Sequence, residues 1–200
     1  MQSPFAERSQ KEMRDVLMSP KAEGPKIHYY MIRGGADKKN ITIWESGTVG
    51  GEYIKTYGHY HVDNLSETYE ILAGEGIVIL QKRAVGADGK PIDDEIVEFS
   101  AIKVKVGDKV FIPSGYGHLA VNTGKSWLVT KDDSPVNFGE KNAVANPGHA
   151  DYAPFKKLHG AAYYIVEKKP SAFTAQVGGI AEFEFIKNPR YKKVPPVEFK

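Results

Sequence analysis

Gly58-His59-Tyr60-His61 is the stretch on which this chain turns. Side chains alternate faces along a strand with period two, so His59 and His61 project from the same side. Glu67 follows six residues beyond His61 and can return to their common point around a short turn. A third histidine, His118, arrives much later, in Pro113-Ser114-Gly115-Tyr116-Gly117-His118. Three imidazoles and one carboxylate form a plausible shell for a divalent transition metal.

Working outward, Glu52 to His61 reads as one strand running into the histidine pair. Asp63-Asn64-Leu65-Ser66 is turn material, Glu67 to Leu72 a strand, Ala73 to Gly76 a tight turn, and Ile77 to Lys82 the return partner. Ile96 to Phe99 and Ala101 to Val106 read as two further strands, the second with alternating apolar and charged residues. Lys109 to Ile112 follows, and a loop over Pro113 to Gly117 delivers His118 to the start of Leu119 to Asn122. Ser126 to Lys131 is a strand. Upstream, Ile27 to Ile32 and Asn40 to Trp44 are β-rich, and Ser9 to Met18 is a short helix expected to pack on the outside of the core. Ala161 to Val166 and Ala181 to Ile186 are the last two strands.

Short strands separated by turn signals every ten or so residues predict an all-β sandwich or small barrel. We expect an N-terminal extension over 1–26, a barrel domain over 27–186 with an active-site-side loop region at 132–160, and a tail over 187–200 lying on the surface or against a partner subunit. The two extensions are expected to be short and helical.

Composition narrows the function classes. The 200 residues are 41% hydrophobic and 26% charged, as in an ordinary soluble domain. The net charge of +2, from 27 basic and 25 acidic residues, gives no footprint for nucleic acid. No apolar run approaches membrane-spanning length, and Met1 to Arg14 lacks the apolar centre of a signal peptide. Cysteine is absent, which excludes disulfides, thiolate metal ligands and a cysteine nucleophile. A cytoplasmic location is the expectation.

The spacing supplies the resemblance. His59-x-His61 is followed after five residues by Glu67 and after six more by Gly74; Gly107 leads at set intervals to Pro113-x-Gly115, His118 and Asn122. These blocks resemble the two motifs of the cupin superfamily, and imply a single-domain cupin β-barrel, or jelly roll. Gly47-Thr48-Val49-Gly50-Gly51-Glu52-Tyr53, Thr56-Tyr57-Gly58-His59-Tyr60-His61 and Glu67-Thr68-Tyr69 resemble the cupin-type glucose-6-phosphate isomerase family. His149-Ala150-Asp151-Tyr152 and Asn188-Pro189-Arg190-Tyr191 do so too.

The resemblance implies His59, His61, Glu67 and His118 as ligands of one divalent transition metal per subunit. Fe(II) is the expected metal, with Mn(II), Ni(II) or Zn(II) as alternatives. It implies Thr42, Thr56, Gly58 and Tyr152 around a sugar phosphate, and Tyr69 and His149 near the sugar. The family often places a tyrosine from its first core strand at the phosphate end; here His28, Tyr29 and Tyr30 are the candidates.

The implied reaction interconverts glucose 6-phosphate and fructose 6-phosphate, a step of glycolysis and gluconeogenesis, by moving a hydrogen between C2 and C1. Glu67 and His149 are candidate bases, and a hydride shift would need none. A metal-bound carboxylate is acidified and so a weaker base. Read alone, Thr42, Thr56 and Tyr69 are also ordinary strand residues, Gly58 also marks a bulge, and His28 and His159 are structural. Two alternatives share the metal shell: another cupin enzyme such as a non-haem iron dioxygenase, and a non-catalytic sugar- or metal-binding cupin. A homodimer is expected to cover an exposed strand edge.

Overall fold

The computed structural model describes residues 5–34, 39–168 and 182–200. Phe5–Ser9 forms strand β1, followed by helix α1 (Gln10–Met13), β2 (Ile27–Ile32), β3 (Asn40–Trp44), β4 (Thr48–Val49), β5 (Glu52–Tyr53) and β6 (Tyr60–His61). Next come β7 (Glu67–Ala73), β8 (Glu75–Val85), β9 (Pro91–Lys105), β10 (Lys109–Ile112), β11 (Tyr116–Val121) and β12 (Leu128–Asp132). Beyond them lie β13 (Ala150–Asp151), α2 (Ala153–Lys157), β14 (Tyr163–Lys168), β15 (Glu182–Lys187) and β16 (Glu198–Phe199).

A six-stranded sheet runs β1-β2-β3-β12-β7-β10 and a four-stranded sheet β11-β8-β9-β16, with β13-β6 and β15-β14-β5-β4 beside them. These sheets fit the expected jelly roll. Buried side chains fill the space between them, among them Trp44, Ile71, Ile77, Ile79, Phe99 and Leu119. Each such side chain contributes about 1.5–3 kcal/mol of burial.

The N-terminal segment departs from expectation. Ser9 caps α1 in a reciprocal capping box with Glu12, yet α1 stops at Met13 and passes into a 3-10 turn over Arg14–Val16. Met13, Val16 and Leu17 are fully buried rather than packed outside. The helix ends because these residues are drawn inward and the Met18 N–H is taken by Glu52 Oε2 at 2.7 Å. Ahead of it, β1 pairs antiparallel with β2, setting Arg8 opposite Tyr29.

Two expected strands, Ile96 to Phe99 and Ala101 to Val106, are one long strand, β9, paired with β8 through a hairpin whose register shifts at Arg83. The C-terminal tail is not helical. Asn188 is fully buried, its Nδ2 donating to Leu158 O (2.8 Å) and Ala161 O (3.0 Å), and β16 adds in parallel to β9. The second helix, α2, lies instead in the 132–160 region. Of the expected final strands, the part at Ala181 lies outside the described residues. Among the described residues, no helix is long and apolar enough to cross a membrane.

The largest correction concerns 52–61, which is not one strand. The segment tracks β11, with Asn122 N donating to Ile54 O (2.8 Å) and Thr56 N to Ala120 O (2.9 Å). His59 and His118 then exchange both backbone bonds (3.2 and 3.0 Å). Between the Lys55–Val121 and His59–His118 bridges, three residues on one side, 56–58, face two on the other, 119–120. The extra residue is a β-bulge, and Gly58 sits in it with φ of 81°.

Candidate metal centre and substrate cavity

The bulge decides which side chains meet. Strict alternation would place Thr56 on the face opposite His59 and His61. One inserted residue reverses the parity, so Thr56, Gly58 and His59 line the same cavity. Glycine is needed twice here: for the positive φ, and because a Cβ would stand 2.5 Å from Cε1 of the buried Phe155 ring.

The four expected ligands converge. His59, His61, Glu67 and His118 offer donor atoms that all lie within 4.8 Å of one another. Opposite ligands at about 2.1 Å from a metal stand about 4.2 Å apart, close to that spread. The turn at Asp63, with φ of 59°, returns the chain so that Glu67 opens β7. His118 comes from the regular strand β11.

Their polar atoms are left over by the protein. His59 Nε2, His61 Nε2, His118 Nε2 and Glu67 Oε1 are buried without a hydrogen-bond partner. His118 Nε2 approaches Glu67 Oε1 at 2.6 Å and His61 Nε2 does so at 3.4 Å, contacts of charge without hydrogen-bond geometry. A buried polar group without a partner costs about 1–3 kcal/mol; four together fit one cation. The supporting bonds agree. His61 Nδ1 lies 3.0 Å from Leu65 O, and His118 Nδ1 3.4 Å from Tyr116 O. A proton on Nδ1 donated to those carbonyls leaves each Nε2 lone pair free to ligate.

Electrostatics follow the crowding. Burial opposes ionisation of Glu67, but the facing His118 and His61 imidazoles overcome it and hold the carboxyl well below its usual range. Burial, with His118 beside it, holds the His59 imidazole well below its usual value. Burial lowers His61 too, but the hydrogen bond and charge of Glu67 outweigh it and raise its imidazole above the usual value; a cation bound among these groups would displace that proton.

The remaining expected residues are gathered around this cluster. Thr42, Tyr69, His149 and Tyr152 line the cavity with Thr56 and Gly58. His149 is brought in by β13, which pairs Ala150 with His61; its ring centroid stands 5.6 Å from that of His61. Burial, then His61, pushes its imidazole down to about 4. Tyr69 meets His118 edge-on at 5.8 Å, and Tyr152 lies 5.3 Å from His59. Of the three first-strand candidates, Tyr29 lines the cavity. His28 is turned to Gln10, and Tyr30 stacks against Phe5.

Several cavity residues escape a reading by motif. Arg33 lines it, with Nη1 3.2 Å from Asp132 Oδ2. Tyr57 lines it beside Tyr152, and Arg8 lies over both rings. Period two along β2 was the available signal for Arg33, since it continues the inward series Tyr29, Met31. Arg8 carried no such signal, because its strand forms only by pairing with β2.

Jelly-roll sheets around three imidazoles and a carboxylate define a cupin with a group of side chains able to hold a metal. The glucose-6-phosphate isomerase (GPI) family profile matches residues 29–176, and the chain belongs to that family. A glucose-6-phosphate isomerase of Thermococcus onnurineus (strain NA1) is 28% identical over 152 residues, 76% of this chain and 62% of the relative. One from Thermococcus gammatolerans is 29% identical over 151 residues, 75% of this chain and 62% of the relative. The matched part thus spans somewhat less than two thirds of those relatives. Among solved structures, the capsular polysaccharide assembling protein CapF of Staphylococcus aureus superposes with a TM-score of 0.40 at 14% identity, over 70% of this chain and 32% of that one. A likeness that loose adds nothing to the assignment.

Proposed function

We propose that the chain is a metal-dependent isomerase interconverting glucose 6-phosphate and fructose 6-phosphate. The observation that carries it is the set of four buried, partnerless donor atoms, two of whose residues, His59 and Glu67, line a cavity also lined by hydroxyls and a backbone bulge. A divalent metal in that set, Fe(II) in our proposal and Mn(II), Ni(II) or Zn(II) as substitutes, supplies a Lewis acid toward the O1 and O2 oxygens.

The protein's own groups do the rest. Thr56 Oγ1 accepts from Ala120 N at 3.1 Å, which leaves its hydrogen to donate to a phosphate oxygen. Thr42, the Gly58 N–H, Tyr152 and Tyr29 complete an anchor of neutral donors, and binding at that remote end orients the reacting carbons. His149, whose ring stands 5.6 Å from that of His61 at the edge of the ligand cluster, is the group we assign to take the C2 proton and return it to C1. Glu67, placed among the imidazoles, acts as a ligand rather than the base. In a direct C2-to-C1 hydride shift, His149 and Tyr69 would instead hold the sugar hydroxyls.

The test is conversion of fructose 6-phosphate to glucose 6-phosphate by protein loaded with each of Fe, Mn, Ni and Zn. Absence of turnover with all four would sink the reading. Incorporation of solvent deuterium at the transferred position separates proton transfer from hydride shift.

We further propose a cytoplasmic homodimer built on the outer face of the six-stranded sheet. Phe5, Leu72, Phe111 and Trp127 are exposed there, and Phe5 and Trp127 flank Tyr30 at 6.0 and 6.1 Å. Light scattering on a sizing column checks it: a monomeric mass at micromolar concentration overturns the dimer.

A further inference from the structure

Arg8 is the one arginine of the N-terminal segment that is buried, and its contacts reach the cavity-lining Tyr29, Tyr57 and Tyr152 and the loop just before the lining Pro147. It is 6% exposed. Its register on β1 sets it opposite Tyr29. Nε donates to Tyr29 Oη at 3.3 Å, and Nη2 donates to Ala145 O at 2.6 Å and to Asn146 Oδ1 at 3.3 Å. The guanidinium carbon stands 5.8 Å from the ring centroids of both Tyr57 and Tyr152. On the solvent side Glu12 Oε1 pairs with Nη1 at 3.5 Å. One side chain therefore ties β1 to three pieces of the cavity wall: β2, the bulged segment before His59, and the loop that leads to His149.

The Tyr29 hydroxyl shows what this accomplishes. Its oxygen accepts from Arg8 Nε and also from Tyr57 N, at 3.4 Å. With two N–H donors on that oxygen, its own hydrogen must point away from both. Tyr29 lines the cavity, and a phenolic O–H without a protein acceptor donates to whatever anion is there. Loss of the Arg8 bond would free one lone pair and let the hydroxyl rotate; the guanidinium both occupies it and strengthens the hydroxyl as a donor, since charge-assisted bonds polarise their neighbours.

We propose that Arg8 is a positioning residue for the anion end of the cavity: it fixes the Tyr29 hydroxyl as a donor toward bound phosphate, and holds Tyr152 and the 145–146 loop in place around it. The proposal deepens the isomerase reading and rests on it for the identity of the substrate. The segment before the first core strand is then part of the binding site. Lysine cannot replace arginine here. Its single Nζ reaches one of three acceptors and offers no plane to lie over the two tyrosine rings.

The test is a double-mutant cycle between Arg8→Met and Tyr29→Phe, read as KM and kcat for fructose 6-phosphate in metal-loaded protein. Each single change is expected to raise KM about 10-fold with kcat within about 3-fold, and the double variant to be no worse than the poorer single one. Arg8→Lys is expected to stay within about 3-fold of Arg8→Met. Additive effects on KM, an unchanged KM in Arg8→Met, or a loss confined to kcat would each overturn the proposal. Should Arg8→Met fail to fold, judged by its melting transition, the cycle is run with Arg8→Lys. Wild-type protein without turnover would defeat the isomerase reading alone. The cycle is then read from inorganic phosphate binding by titration calorimetry on metal-free protein, where equal Kd values for wild type and Arg8→Met overturn the role of Arg8.

Discussion

The cavity has two ends, and they are built in opposite ways. At the proposed metal end, one polar atom on each of four side chains is buried and left without a hydrogen-bond partner. At the other end, neutral hydroxyls are buried or half-buried and bonded. Thr56 accepts from Ala120 N, and Tyr29 accepts from Arg8 and Tyr57. The first end is incomplete without a cation; the second is organised in advance and presents hydrogens. On the proposed reading, the contrast is what would let one small barrel hold a dianion and a cation a short distance apart without collapsing them onto each other. The one cation among the residues lining the cavity, Arg33, is paired with Asp132 at 3.2 Å.

The largest expected effect comes from breaking the metal end. His118→Ala should lose bound metal by elemental analysis and reduce isomerase activity to background, while fructose 6-phosphate still binds weakly through the other end. Activity that survives in a metal-free His118→Ala protein removes the metal from the mechanism. Next is the group between the ends. His149→Asn should lower kcat by about 10²–10⁴-fold, the usual worth of a positioned acid–base group, with metal content unchanged. A kcat near wild type would favour the hydride route.

The bulge that joins the ends comes third. Gly58→Ala forces a Cβ against the Phe155 ring and a non-glycine residue to φ of 81°. It should cost about 1–3 kcal/mol in chemical denaturation, and raise KM by turning Thr56 away from the histidines. Retention of both stability and KM would show that the bulge is not needed for that alignment. The smallest effect is expected at the anion end. Thr56→Ala removes one neutral hydrogen bond, worth about 0.5–1.5 kcal/mol, and should raise KM by roughly 3- to 10-fold with kcat preserved. Thr56→Ser should restore it. An unchanged KM in Thr56→Ala displaces that residue from the phosphate.

The two ends also differed in how far a sequence could reveal them. The metal end is written as residue type and spacing. Imidazoles two apart on one strand and a third in a Gly-Pro-Gly-His block have few uses together, and the structure brings all of them to one point. The anion end is written in threonines, tyrosines and a glycine, which serve equally as strand material. Resemblance could select Thr42, Thr56 and Tyr152, but could not choose among His28, Tyr29 and Tyr30. That choice was made by strand pairing, which turns Tyr29 inward opposite Arg8 and turns Tyr30 out toward Phe5.

The sequence by itself determined an all-β chain of short strands, the four ligand positions, and the absence of any thiolate chemistry. Each of these depends on local pattern or on residue identity, which folding does not alter. Tertiary structure alone decided three other matters: that Phe5–Ser9 is a strand, that Asn188 and Tyr191 of the tail are buried, and that the run from Glu52 to His61 is broken. In each case a long-range partner overrides a weak local preference: β2 for the first, the Leu158 and Ala161 carbonyls for the second, β11 for the third. The last brings the account back to Gly58-His59-Tyr60-His61. Period two predicted that the histidines share a face. Only the one-residue mismatch against β11 could bring Thr56 to that face as well, because backbone register is a property of two strands and is not contained in either one.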